Sequence, residues 1–412
     1  MNKFILKNVN IDAKRISYDY SIFGDWEKYF NLDEKFYVEY SHDITGVSAD
    51  VTAIPLLVNV LPIAWVFDAK VHVKALDEDF YYATDKLRAA YQDLYPELDF
   101  KGELIVDNIM KNENEENNVA LLFSGGVDAF SSLLTNIDKE PTLVTIWGAD
   151  VHPENEEAWQ VLRTHTENVA KHLDLDAIFI RTNMQTFIDE YALSQYTLNI
   201  VGDAWWHGFQ HSVAMLGLFA PLACKHDFAN LFIAATVTAE TFEERETKLV
   251  SIPQIDNQVK YCGLESIHDG FEDTRQDKIE KIVDISEKIN KDIYLRVCWV
   301  SDDGKNCSQC AKCERTILGL VAEGADPNDY GFDIEESDFE DIMYDLKHRY
   351  FVREDYFKLI QERMLENYEQ LELNDSLEWF INADLDKINN SILKKLRRFK
   401  YRFRDRVKNL IN

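Results

Sequence analysis

Two stretches of this chain carry residues whose types and spacing can do chemistry. The first is Phe123-Ser-Gly-Gly-Val-Asp128. An apolar run, Asn118-Val-Ala-Leu-Leu, precedes it, and Ala129-Phe-Ser-Ser-Leu-Leu-Thr-Asn136 follows with apolar side chains at helical spacing. That order is a strand, a glycine turn and a helix start. Paired glycines let successive backbone N–H groups turn toward one point, and the positive end of the helix dipole adds to the field there. Such a turn is a cradle for phosphate or pyrophosphate. Ser124 offers a hydroxyl donor, and the Asp128 carboxylate can hold Mg2+ against phosphate oxygens. The structural alternative is an ordinary glycine turn between a strand and a helix.

The second stretch holds Cys298, Cys307, Cys310 and Cys313 in the pattern Cys-x8-Cys-x2-Cys-x2-Cys. The last three can converge on one ion from a turn and helix start, and the first from a preceding strand, Tyr294–Val297. Four thiolates suit a structural Zn2+ with no open position. A [4Fe–4S] cluster is the rival, but the run lacks the ferredoxin spacing and its following proline. Cys224 and Cys262 fall outside the pattern and read as apolar fillers. His207 and His211, four apart, share a helix face; without a Glu-x-x-His context they read as polar residues at a crevice rim.

The elements that must position these residues follow from the rest of the chain. With 412 residues, 46% of them hydrophobic, the chain predicts two or three units with ample core. A net charge of −30 disfavours a broad nucleic-acid footprint. No cationic, apolar, cleavable leader is visible, and the longest apolar stretch, Ala53–Phe67, is broken by Pro55, Asn59 and Pro62 and too short to span a bilayer. The expectation is a soluble cytoplasmic protein with no membrane contact and no disulfide scaffold.

The fold class expected is α/β. Residues 1–110 read as an N-terminal α+β domain, with strands at Phe4–Val9, Arg15–Tyr20, Lys35–Tyr40, Trp65–Ala75 and Gly102–Val106 and a helix over Asp77–Leu98. They carry no catalytic constellation, so recognition or oligomerisation is the role expected, a homodimer being one form. The polar run 111–118 is the linker candidate. Residues 119–330 alternate strand and helix, which predicts a parallel sheet with crossover helices. Strands are expected at Thr142–Trp147, Ala177–Arg181 and Leu231–Thr236, with helices over Glu154–Leu173 and Asp203–Cys224. Ligands of such sheets sit beyond the carboxyl ends of the strands, so the segments after Phe123, Trp147, Arg181 and Ala235 should converge. Thr238–Gly263 reads as a long loop. A helix follows Phe271, with Arg275 and Lys278 one turn apart near its start. Residues 331–412 read as a helical C-terminal extension.

The glycine turn resembles the Ser-Gly-Gly-x-Asp-Ser loop of the PP-loop ATP pyrophosphatases, with Ala129 in place of the final serine. Arg296-Val-Cys-Trp299 and Asn306-Cys-Ser-Gln-Cys-Ala-Lys-Cys-Glu-Arg-Thr316 resemble the zinc segment of the 7-cyano-7-deazaguanine synthases (QueC-like proteins). Longer members of that set include QatC-type anti-phage proteins. The likeness covers roughly residues 118–325. It implies a PP-loop (adenine nucleotide alpha hydrolase-like) core with a four-cysteine zinc site. It also implies an ATP-dependent carbon–nitrogen ligase that forms AMP and pyrophosphate, acting on 7-carboxy-7-deazaguanine or a related deazapurine with ammonia or an amine. Amide, nitrile or a base–protein conjugate would result. Asp128 and Lys278 are then the catalytic candidates. Phe123, Ser124, Gly125, Gly126, Val127, Asp128, Trp147, Arg275 and Lys278 form the nucleotide-binding set, and Cys298, Cys307, Cys310 and Cys313 the zinc ligands. The cofactors implied are ATP, Mg2+ and Zn2+.

The last 26 residues, Lys387–Asn412, hold ten Lys or Arg against one Asp, a net of +9 that leaves −39 on the remainder. Their apolar residues recur at three- or four-residue steps, as in an amphipathic helix. It either packs on its own protein or docks nucleic acid or an acidic partner. A tRNA-thiolating PP-loop enzyme and a non-catalytic nucleotide-binding scaffold are the other functional readings.

Overall fold

The structure, a computed structural model, describes residues 1–243, 247–298, 305–349 and 354–390. Two compact units account for the chain: Met1–Ser124 with Asp128–Glu272, and Gly125–Val127 with Asp273–Asn412.

The first unit is built on one sheet of 11 strands. They are β1 (Lys3–Asp12), β2 (Arg15–Phe23), β3 (Tyr37–Tyr40), β4 (Lys70–Asp77), β5 (Glu103–Met110), β6 (Asn118–Leu122), β7 (Thr142–Trp147), β8 (Ala177–Thr182), β9 (Phe228–Ala234), β10 (Lys260–Tyr261) and β11 (Leu264–Asp269). Their order is β10-β11-β9-β6-β7-β8-β3-β2-β1-β4-β5. From β11 through β9, β6 and β7 to β8 every pairing is parallel. Leu121-Leu122, Leu143-Val144 and Ile178-Phe179-Ile180 in this stretch are buried, the apolar runs of a sheet covered on both faces. The chain leaves β6 toward β7 and β8 on one side, then returns to place β9 and β11 on the other. β6 is therefore the strand at which the order reverses, the point where open parallel sheets collect ligands.

The boundary expected at 111–118 falls inside this unit, because β3 pairs antiparallel with β8 and carries the sheet on into the N-terminal strands. The polar run is pinned down by hydrogen bonds of its side chains and backbone. Asn112 Nδ2 donates to Asp50 Oδ2 (2.7 Å) and Asp77 Oδ2 (3.1 Å), and the Glu115 N–H donates to Asp227 Oδ1. The strand expected over Trp65–Ala75 divides instead into the end of a helix, Ile54–Val66, and β4. That helix is buried on nearly every side, so it shows no 3.6-residue contrast and reads as an apolar run. It lies so close to the helix His211–Leu218 that a Cβ on Gly217 would stand 2.4 Å from Val58 Cγ1. Within Asp203–Cys224 the expected single helix is a π-helical turn, Trp206–Gln210, followed by His211–Leu218 and Ala220–Lys225.

The second unit is helical. Arg275–Ile289 begins with a reciprocal cap between Thr274 and Asp277, and is followed by Ala311–Ala322, Asp338–His348, Glu354–Glu366 and Asp375–Ile381. Arg363 joins three of them: its Nη1 lies 2.8 Å from Glu280 and 3.1 Å from Glu323. Gln361 Nε2 donates to the carbonyls of Phe380 and Ala383. The residues expected as a separate C-terminal extension thus share a unit with the cysteines. The basic stretch beyond Asn390 lies outside the described residues, as do residues 299–304. No described helix is long and apolar enough to cross a membrane.

Candidate functional site

β6 ends at Leu122, and the turn that follows is anchored by its first residue. Phe123 N–H donates to Val144 O (2.8 Å), and Phe123 O accepts from Thr145 Oγ1 (2.8 Å). The Phe123 ring is buried edge-on against Phe130. Ser124 is exposed, and Gly125 sits at φ +79°, a left-handed conformation that an L side chain adopts only under strain. The helix Val127–Thr135 starts at once, with the half-buried Asp128 in its first turn. Backbone donors at a helix N-terminus beside an exposed hydroxyl and a carboxylate can hold a Mg2+-bound phosphate group.

Ala129 stands buried where the resembled loop carries serine, and neither following serine supplies that hydroxyl to solvent. Ser131 and Ser132 are both buried, and Ser132 Oγ donates to Asp269 Oδ2 on β11. The Trp147 ring packs in the core, stacked on Trp159 at 5.2 Å with the Arg181 guanidinium 4.0 Å over its other face. Its Nε1 donates to His152 O. The exposed His207 and half-buried His211 have ring centres 6.1 Å apart. Burial pushes the His211 imidazole below the ordinary 6.5.

In the second unit Lys278 is buried on the first turns of Arg275–Ile289, three residues after the half-buried Arg275. The four cysteines come together as the spacing predicts. All their sulfurs lie within 4.8 Å of one another, with Cys298–Cys310 and Cys307–Cys313 at 4.0 Å and Cys310–Cys313 at 3.5 Å. A tetrahedral thiolate site with metal–sulfur bonds near 2.3 Å sets sulfurs about 3.8 Å apart, so the arrangement fits such an ion. Among the described residues it is the one group of histidines, cysteines and carboxylates close enough to hold a metal.

Cys310 caps the helix Ala311–Ala322. The Cys313 thiol and then the backbone N–H groups of Cys313 and Lys312 push its own thiol down to about 4, toward the ligating form. Ser308, at φ +56°, makes the turn, and its Oγ accepts from the Asp333 N–H. The expected strand Tyr294–Val297 does not form. This segment pairs in no ladder, and the Asn306 side chain bonds its backbone instead. Asn306 Oδ1 accepts from Val297 N–H (2.9 Å) and Cys298 N–H (3.3 Å), while Nδ2 donates to Leu295 O (2.8 Å) and Gly331 O (2.9 Å). Between these bonds the Arg296 N–H donates to Gly125 O at 2.7 Å. The segment that carries Cys298 therefore holds the glycine turn by its backbone.

Sequence reasoning missed three groups. Asn306 sat inside a quoted motif with no role assigned. His268 Nδ1 pairs with Asp256 Oδ2 (2.8 Å), which also accepts from Ser251 Oγ, and the His268 and Asp256 side chains are wholly buried. This network pins the helical turn Pro253–Asp256 to β11, a strand whose polar residues hid it. Glu314, next to Cys313, has its carboxyl pushed up to about 9 by burial and then by Asp345.

Fold and site together define an α/β protein with a glycine turn at the reversal point of a parallel sheet and a four-cysteine cluster able to hold a metal ion. The chain matches no protein-family model and no curated protein sequence.

Proposed function

We propose that this chain is an ATP-dependent ligase that adenylates a carboxylate and joins the acyl group to nitrogen. One observation carries the reading: the Ser124–Asp128 turn stands at the carboxyl end of β6, where the strand order reverses. The cysteine cluster, whose segment bonds to that turn, supports it. Backbone N–H groups of Gly125, Gly126 and Val127 would hold the pyrophosphate of ATP, with the Ser124 hydroxyl as a further donor. Asp128 is the residue that would hold Mg2+, which neutralises phosphate charge when bound. Lys278 and Arg275 are assigned to the triphosphate on the resemblance alone. The four thiolates would hold Zn2+ as a structural ion, with no part in the reaction.

In the first step a carboxylate oxygen attacks the α-phosphorus, the bond to the bridging oxygen breaks and pyrophosphate leaves. In the second a nitrogen lone pair attacks the acyl carbon, the bond to the AMP oxygen breaks, and the nitrogen proton passes to solvent. The chain's own contribution is position and a preorganised field on the phosphates. The substrate favoured is 7-carboxy-7-deazaguanine or a related deazapurine, and the nitrogen comes from ammonia or an amine. The test is isotopic. With 18O in the substrate carboxylate, the AMP formed should carry one 18O; unlabelled AMP, or label in inorganic phosphate, rejects adenylation.

A further inference from the structure

We propose that Asn306 couples the cysteine cluster to the glycine turn, so that the metal state of the cluster sets how firmly Gly125–Val127 is held. The segment 291–298 has no ladder of its own, so its backbone groups need partners from elsewhere. A side-chain amide offers two N–H donors and two acceptor lone pairs, and Asn306 spends all four on this segment and on Gly331. Its bonds fall on Leu295, Val297 and Cys298, on both sides of Arg296, whose N–H reaches Gly125 O. Leu295 N–H is taken by Tyr330 O (3.0 Å), and Gly331, at φ +87°, lies against Leu295.

Asn306 is itself fixed by its neighbour in sequence, Cys307, while its acceptor oxygen holds the N–H of Cys298. Two cluster cysteines thus clamp the amide from either end of the loop. Freeing their sulfurs removes both clamps and loosens the donor side of the Arg296–Gly125 bond. Asn306 is a positioning residue, acting on the turn through Arg296. The coupling is reciprocal: a ligand held at the turn must tighten retention of the metal. That second arm rests on the nucleotide reading above, whereas the first does not.

The experiment is hydrogen exchange by mass spectrometry on the full-length zinc-loaded protein, read on peptides covering 121–130 and 293–298, with 3–23 as the reference. Asn306→Ala should keep zinc near one per chain yet speed exchange in 121–130 about tenfold or more, since four hydrogen bonds of one side chain are lost together. Asn306→Asp, which keeps the acceptor and loses both donors, should fall between it and wild type. Ser308→Gly, which alters the same cysteine turn off the path to Arg296, should leave 121–130 unchanged. Chelator treatment of wild type should reproduce the Asn306→Ala pattern with 3–23 unaltered, which decides the matter even if Asn306→Ala fails to fold. Unchanged exchange in 121–130 after zinc removal overturns the proposal. So does acceleration by Ser308→Gly equal to that by Asn306→Ala. In the second arm ATP should slow zinc loss to the chelator. If ATP does not bind at all, the nucleotide reading fails while the exchange arm still stands or falls by itself.

Discussion

The parallel strands of the first unit and the segments 291–298 and 305–313 of the second reach order by opposite routes. β6, β7, β8 and β9 are apolar runs whose backbone groups satisfy one another across the sheet, and their side chains need only fill space. The segment from 291 to Cys298 pairs with no strand, and among its bonds are those of the Asn306 amide, the Gly125 carbonyl and the Tyr330 carbonyl, with the Cys298 sulfur in the cluster. The first kind of order tolerates exchange of one apolar residue for another. The second depends on individual atoms.

Metal removal should break the comparison most sharply. Chelation, or Cys310→Ser, should unfold the cluster segment and lower the melting temperature by on the order of 10 °C, because structural zinc contributes folding free energy directly. Circular dichroism should show the sheet signal outlasting the helical loss. Metal analysis should find about one zinc per chain before treatment. Absence of zinc, or iron–sulfur absorbance after anaerobic purification, contradicts the assignment. Asp128→Ala comes next. The turn should keep its shape, since Phe123 and Gly125 anchor it by backbone bonds, while AMP formation falls about 100-fold or more. Wild-type turnover by this variant would remove Asp128 from the metal-binding role.

Within the sheet-based unit, Gly217→Ala should cost about 1–3 kcal/mol by forcing the helix away from Val58, measured by denaturant unfolding. Adding Val58→Ala should recover part of that loss; no recovery would mean the two helices do not meet as described. The smallest effect expected is at His211. Burial holds its folded pKa below 6.5, with a further downward push from His207 against Asp150 and Asp256. As pH falls through that value the unfolded chain takes up the proton first, so stability should decline on acidification below about 6.5. His211→Gln should flatten that part of the pH profile.

What was legible in the sequence divides along the same line. The apolar strands Thr142–Trp147 and Ala177–Arg181 were readable almost to the residue, because burial on both faces leaves a continuous signature. The cysteine spacing announced its cluster, since three thiols at three-residue intervals can converge on one ion and a fourth can close the site. β11 was missed because Glu265, His268 and Asp269 interrupt its pattern, and the partner of Asp269, Ser132, lies 137 residues away in sequence. The helix Ile54–Val66 was obscured by the opposite fault, an apolar residue at almost every position. Asn306 could not have been found by pattern at all. The role of one amide is visible only when the segment it serves is seen to have no ladder.

In the function proposed, the turn at the end of β6 directs ATP cleavage to the α-phosphorus. The most direct measurement is the identity of the nucleotide product when the protein is supplied with Mg2+-ATP, 7-carboxy-7-deazaguanine and ammonia. AMP and pyrophosphate in equal amounts, formed only with the carboxylate present and lost in Asp128→Ala, is the result predicted. ADP and inorganic phosphate as the products would contradict it.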